Sequence, residues 1–188
     1  KKLKKLGHEV IGIDFKEGMK DVSDVLAEDR DGKFHPHYYN FQPEYVFHMA
    51  CWPSVVYSVE NPVSTARNNI ISGAVLLNFA RKVGSVKRVI YSSSSSVVGN
   101  GNGPASPYAL QKYTTELETS MYSKLYGLDT VSLRYFNVYS YDQKADDAYA
   151  TAIANWMKSI KTGDRPFITG DGEQRRDFTY VGDIVDGL

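Results

Sequence analysis

Apolar and β-branched residues run almost unbroken over 9–14, 45–49, 87–93 and 130–133. Successive apolar positions, rather than strict in–out alternation, suit strands of a parallel sheet covered on both faces. Between these runs the period changes. Over 64–83, Ile70, Ile71, Ala74, Leu77 and Phe79 or Ala80 recur at helical spacing. Over 108–126, Leu110, Leu117, Met121 and Leu125 do the same, and Gly127 is placed to end the helix. A further helix is predicted over 148–160, closed near Gly163. At the start, 1–6 reads as the end of a helix with Gly7 as its cap, and 35–39 reads as an additional strand. Strands alternating with helices predict an α/β fold with a doubly wound parallel sheet. The run of serines at 92–96 follows a strand, and the Gly- and Pro-rich stretch at 100–107 reads as loop.

Composition narrows the function classes. The chain has 188 residues, enough for one or two domains, with 42% hydrophobic and 23% charged residues, which is wrong for a disordered chain. Lys plus Arg and Asp plus Glu both total 22, so no net basic field draws nucleic acid or an anionic membrane. The single cysteine, Cys51, rules out an internal disulfide framework and a Cys-rich zinc module. No apolar run approaches the ~20 residues needed to span a bilayer. The lysines among the first five residues resemble the start of a signal peptide, but Gly7, His8 and Glu9 interrupt any apolar run after them. The expectation is a soluble, cytoplasmic domain.

Candidate chemistry concentrates at Ser106-Pro107-Tyr108-Ala109-Leu110-Gln111-Lys112. On a helix, Tyr108 and Lys112 share one face. A free phenol with a pKa of about 10 is a poor base at neutral pH, and a neighbouring ammonium favours its phenolate. Taken alone, the pair reads as an incidental tyrosine on a surface helix. The upstream strand running out into serines changes the odds, because ligands of open α/β sheets bind beyond the carboxyl ends of strands. Near the start, Asp14 closes an apolar run where a dinucleotide-binding unit places the acid that holds ribose hydroxyls. No Gly-rich turn stands before it.

The chain resembles the extended short-chain dehydrogenase/reductase family, in its nucleotide-sugar epimerase/dehydratase branch. Matching segments follow in the family's order. Phe47-His48-Met49-Ala50 resembles the fourth-strand motif, with Cys51 for the usual second alanine. Tyr91 to Gly99 resembles the strand that carries the catalytic serine or threonine, with Val98 where tyrosine is usual. Tyr108 and Lys112 match the catalytic pair. Leu133-Arg134-Tyr135-Phe136-Asn137-Val138-Tyr139 matches the segment joining nicotinamide contacts to the substrate site, with Ser140 for glycine. Gly170 to Val181 matches the segment that grips the nucleotide diphosphate.

The resemblance implies a Rossmann-like, NAD-binding domain over 1–140, and over 141–188 the start of an interleaved substrate-binding region. It implies Ser94 as the catalytic hydroxyl (Ser93 being the alternative), Tyr108 as base and Lys112 as its partner on the nicotinamide ribose. Asp14, Ala50, Cys51, Asn69, Ser92, Tyr135 and Phe136 would contact NAD. Ser54, Ser94, Asn137 and Arg176 would contact the nucleotide-sugar substrate, Arg176 as a donor fork for phosphate oxygens. Trp52 and Val55 stand with Ser54 where sugar contacts are expected. No metal is implied. The family commonly dimerises through the helices after the fourth strand and at Tyr108, so a homodimer is expected.

Within the family, dehydratases carry an Asp-Glu pair after the catalytic hydroxyl, decarboxylases usually a nearby Glu, and the enzymes making fucose-type sugars a Cys. Ser95, Ser96, Val97 and Val98 stand here instead. That pattern resembles the 4-epimerases of UDP-hexoses, N-acetylhexosamines or hexuronates. Another family reaction and a non-catalytic nucleotide-binding protein are the alternatives. Asp14 favours NAD over NADP, since a carboxylate repels a 2′-phosphate.

Spacing also predicts missing sequence. No strand and Gly-rich turn precede Lys1, and the chain stops at Leu188 inside an expected helix. A strand at 35–39 would leave too few residues for a parallel crossover to the next. Ser94 and Tyr108 stand closer than in the family. Breaks are therefore expected near Tyr39–Gln42 and Gly99–Pro104.

Overall fold

The computed structural model describes residues 1–14, 22–143, 145, 151–168 and 170–188. Two compact units form, Lys1–Arg134 and Tyr135–Leu188.

The first unit opens with a short helix, α1 (Lys2–Lys5), and Gly7 leaves it with φ +86°. The stretch 9–14 is not a strand: no ladder pairs it among the described residues, and a strand exists only with a neighbour. Helix α2 (Val22–Val25) buries Val22. The expected strand at 35–39 is also corrected, because Pro36–Phe41 forms a helix, α3. Pro36 sits at its first turn, where the missing N–H costs nothing, and the His35 ring accepts from the His37 N–H. Left-handed Gln42 ends α3, and no crossover is needed before the next strand.

β1 (Tyr45–His48) leads into α4 (Val55–Glu60) and α5 (Pro62–Ala66). A π-turn, Arg67–Ile71, joins α5 to α6 (Ser72–Val83), which ends on left-handed Gly84. β2 (Arg88–Ser94) follows, buried through its middle. Short 3₁₀ turns at Ser95–Val97 and Gly99–Gly101 carry the chain to α7 (Pro107–Tyr126). β3 (Thr130–Tyr135) closes the sheet, whose order is β1-β2-β3. β1 and β2 run parallel, Tyr45 opposite Arg88 and His48 opposite Tyr91.

The expected breaks fall near Tyr39–Gln42, at the end of α3, and at Gly99–Pro104, after β2. The backbone is continuous through both places, and the Val98 carbonyl accepts from Gly101 and Gly103 to close the second into a tight turn.

The core joins Leu76, Leu77, Phe79, Ala80 and Val83 of α6 to Val89 of β2, Leu128, and Val22 and Leu26 near α2. Each fully buried aliphatic side chain is worth about 1.5–3 kcal/mol. α6 packs on α7 as well as on the sheet. Gly73 permits this approach: a Cβ there would sit 2.7 Å from Thr115 Cγ2.

The second unit holds β4 (Val138–Tyr139) parallel to β5 (Thr179–Tyr180), with α8 (Ala152–Thr162) between them in sequence and α9 (Val181–Gly187) after them. The predicted helix at 148–160 begins, within the described residues, at Ala152; its first predicted turn lies outside them. The indole N–H of Trp156 donates to the Phe167 carbonyl at 3.1 Å. Among the described residues, no helix is long and apolar enough to cross a membrane, and no three His, Cys, Asp or Glu side chains gather as a metal site.

Candidate active site

Helix α7 is fixed at its start by three devices. Ser106 is the N-cap and accepts from the Ala109 N–H at 3.1 Å, Pro107 occupies the first turn, and Ser58 of α4 accepts the Tyr108 N–H at 3.0 Å. The Ser58 hydroxyl in turn donates to the Val55 carbonyl at 2.7 Å. Four-residue spacing then lines up Tyr108, Lys112 and Glu116 along one side of α7, toward the end of β2.

Each of these side chains meets a different residue of the serine run. The Lys112 ammonium, only 2% exposed, donates to the Ser92 carbonyl at 2.7 Å. It also lies 5.0 Å from the centre of the Tyr91 ring and 6.0 Å from that of Tyr108. The Ser93 hydroxyl donates to Glu116 Oε1 at 2.5 Å. Glu116 takes a bidentate pair from Arg134 as well, at 2.9 and 2.7 Å. Burial opposes its charge, but the hydrogen bonds from Arg134 and Ser93 outweigh it and hold its carboxyl below the usual range. Of the serines, Ser94 is the one whose hydroxyl acts on the Tyr108 phenol, drawing its pKa down against burial. The Ser94 oxygen also accepts from the Ser96 hydroxyl at 2.9 Å. Ser93 is thus engaged by Glu116, while the Ser94 hydroxyl stays with Ser96 and near the phenol.

Burial dominates the phenol's acidity. Desolvation, reinforced by the neighbouring Cys51 thiol, pushes Tyr108 up to about 12, and the nearby Ser94 hydroxyl only partly offsets this. Loss of water around the buried phenol works against the phenolate that the nearby Lys112 ammonium favours. Tyr91, beside Lys112, is raised further, again by burial first. His48 ends β1 with its ring 5.3 Å from that of Tyr91. It is buried, neither ring nitrogen has a protein partner, and desolvation followed by the Lys112 charge lowers its pKa to about 4.

The first unit therefore brings Cys51, Ser92, Ser94, Tyr108 and Lys112 together at the carboxyl ends of β1 and β2. Ala50 packs against the edge of the core. Ser54 caps α4, its hydroxyl accepting from the Tyr57 N–H at 3.0 Å. Asn69 points its amide at the Trp52 peptide and Gln111. Asp14 is exposed. In the second unit, Phe136 is exposed and Tyr135 half-buried. Asn137, at φ +32°, donates to the Asp177 carbonyl at 2.9 Å, and exposed Arg176 donates to the Arg175 carbonyl.

Sequence reading passes over Ser58, Gln111 and Glu116. Glu116 carries a signal, since it continues the four-residue spacing of Tyr108 and Lys112. Ser58 and Gln111 matter only through tertiary neighbours.

The sequence matches the model of the NAD dependent epimerase/dehydratase family over residues 1–188. It is 35% identical over 174 residues to a putative UDP-glucose 4-epimerase of Methanocaldococcus jannaschii, covering 87% of this chain and 55% of that protein. It is 34% identical to protein CapI of Staphylococcus aureus, covering all of this chain and 63% of that one. That match runs over 217 positions against 188 residues here, so the relative has residues at interior positions where this chain has none. The fold is similar to that of the UDP-glucose 4-epimerase of Thermotoga maritima solved with UDP-glucose, with a TM-score of 0.78 and 33% identity over 89% of this chain and 55% of that one. The chain thus spans between about half and two thirds of the length of these relatives. With the family model matched from Lys1 to Leu188, the chain belongs to the NAD dependent epimerase/dehydratase family.

Proposed function

We propose that the protein epimerises C4 of a nucleotide sugar, a UDP-hexose, UDP-N-acetylhexosamine or UDP-hexuronate, with NAD as cofactor. The observation that carries this reading is the convergence of Ser94, Tyr108 and Lys112 at the end of β2. As its phenolate, the form that the nearby Lys112 ammonium favours, Tyr108 can take a proton from a sugar hydroxyl and return it. Ser94 orients that hydroxyl toward the phenol. The acid–base work is reversible at one atom, as needed when the 4-hydroxyl becomes a carbonyl and is then restored with the opposite configuration. The residues after Ser94 carry no acid that could drive elimination of water, and Glu116 is held by Ser93 and Arg134.

The donor set suits a dinucleotide. Lys112 has three N–H donors and uses one on Ser92, leaving donors for ribose hydroxyls. The exposed Asp14 carboxylate can accept from the other ribose. Ala50, Cys51, Asn69, Ser92, Tyr135 and Phe136 are proposed around the cofactor. Asn69 would act through its hold on the Trp52 peptide. Ser54, Asn137 and Arg176 are proposed toward the substrate, the guanidinium fork of Arg176 matching phosphate oxygens. Bound NAD supplies the reversible hydride acceptor; the protein's part is to place and deprotonate the alcohol. The protein with added NAD should convert at least one of UDP-glucose, UDP-N-acetylglucosamine and UDP-glucuronate to its C4 epimer, resolved by proton NMR. Failure with all three, with NAD bound, would overturn this reading.

A homodimer is proposed as the assembly. Leu110, Leu117 and Met121 share a face of α7, and each is about half exposed. The neighbouring π-turn and α5 add exposed Ile71 and Val63, beside an apolar groove of about 400 Å³ lined by Pro62, Ala66 and Ile70. A surface this apolar is a contact surface rather than a solvated one. A cytoplasmic location is inferred from the lone free thiol of Cys51 and the nicotinamide chemistry.

A further inference from the structure

Asn69 and Gln111 form a closed polar relay inside the first unit. Their side chains are 3% and 4% exposed. Asn69 Oδ1 accepts the Trp52 N–H at 2.8 Å, and Asn69 Nδ2 donates to the Trp52 carbonyl at 3.3 Å. One side-chain amide thus grips both polar groups of a residue in the loop after β1. Nδ2 also donates to Gln111 Oε1 at 2.8 Å. The Trp52 N–H fixes which way the Asn69 amide faces, because a flipped amide would set its NH₂ against that donor. Gln111 Nε2 donates in turn to Thr65 Oγ1 at 3.0 Å and to the Pro62 carbonyl at 3.4 Å.

The relay has two ends of interest. Gln111 stands between Tyr108 and Lys112 on α7. Trp52 begins the segment whose Ser58 accepts the Tyr108 N–H, and its ring packs edge-on against Tyr57, with centroids 4.9 Å apart. Asn69 itself lies on the π-turn, a local geometry that recurs at functional sites. A buried network with every member satisfied holds one arrangement, and a network missing a member is costly.

We infer that Gln111 and Asn69 are positioning residues that seat Trp52, and with it the Trp52–Ser54 substrate loop, against the helix carrying the proposed base. The inference rests on the proposed function for the loop's role, but the seating itself is independent of it. Neither residue touches the reacting atoms. They set how the Trp52 wall meets the sugar, so their loss should appear chiefly in KM for the nucleotide sugar.

Hydrogen exchange on the unmodified full chain tests the seating directly: the Trp52 amide should be protected although it lies in a loop. In a Trp156→Phe background, Gln111→Leu should raise acrylamide quenching of Trp52 several-fold and speed exchange of its amide. Asn69→Ala, and the two changes together, should do the same and no more, because all three remove one unit. With the nucleotide sugar found to turn over, KM should rise about tenfold with kcat changed far less. A Trp52 amide exchanging at the unprotected rate in the parent, or quenching and exchange unchanged by Gln111→Leu, would overturn the relay. An altered KM without altered quenching would overturn it too. Absence of turnover in the parent counts against the epimerase reading alone, and the exchange and quenching results still decide the relay.

Discussion

The Lys112 ammonium donates to the Ser92 carbonyl at 2.7 Å, tying α7 to β2 two residues before Ser94. The bond sets the depth of α7 over the strand and leaves the ammonium under both buried phenols. Lys112→Met should therefore cut turnover by a factor of about 10²–10³ and weaken NAD binding. Lys112→Arg should not restore activity, since a planar fork cannot take the place of a compact ammonium in so buried a site. Steady-state rates and NAD titration of the three proteins check this.

Tyr108 predicts an alkaline signature. Its phenol is neutral in the fold up to about 12, whereas in the unfolded chain it ionises near its ordinary value of 10.0. Between those values the unfolded state releases its proton first, so stability is intact below pH 10 and falls as pH rises toward 12. The loss approaches roughly 2–3 kcal/mol. Tyr108→Phe should lack this part of the decline, measured as the difference in melting temperature between the two proteins from pH 9 to 11.5. An identical decline in both would contradict the burial argument.

His48 predicts the acid counterpart. Buried and neutral down to about 4, it gains its proton in the unfolded state from the ordinary value of 6.5 downward. The stability it confers is present above pH 6.5 and is lost as pH falls toward 4, by roughly 3 kcal/mol at most. His48→Phe, which keeps a ring against Tyr91, should flatten the decline between pH 6.5 and 4.5 in urea unfolding.

Glu116 clamps the ends of two strands through Ser93 and Arg134. Glu116→Ala leaves Ser93 without its acceptor and should cost about 2 kcal/mol, while Glu116→Gln, which keeps an acceptor, should cost about half as much. Chemical denaturation measures both. A loss equal in the two variants would show that charge, rather than hydrogen bonding, holds the clamp.

The apolar face of α7 predicts the assembly. Leu117→Arg with Met121→Glu should give a monomer in analytical ultracentrifugation where the parent is a dimer. A parent that sediments as a monomer would sink the dimer proposal.

Much of this was legible in the residues. The apolar runs at β1, β2 and β3 mark strands, most plainly at β2, which is buried through its middle. α7 announces itself by Ser106, Pro107 and Gly127 at its ends. Other features were legible and passed over. Pro36 after His35 is a helix start, yet the aromatic run behind it reads as a strand. Glu116 continues the spacing of Tyr108 and Lys112. The π-turn, the Asn69–Gln111 relay and the cap from Ser58 arise from packing between distant segments, which periodicity does not encode. The charge of Lys112 near Tyr108 is written in the sequence, but the burial of the phenol is not.

The central claim is a reversible oxidation at C4 with Tyr108 as the proton acceptor. The most direct test incubates the protein, NAD and a UDP-sugar deuterated at C4, and follows both epimers by NMR. The account predicts inversion at C4 with the deuterium retained at that carbon, and loss of the reaction in Tyr108→Phe with its fold intact. Deuterium washed out to solvent, elimination of water in place of inversion, or an undiminished rate in Tyr108→Phe would contradict it.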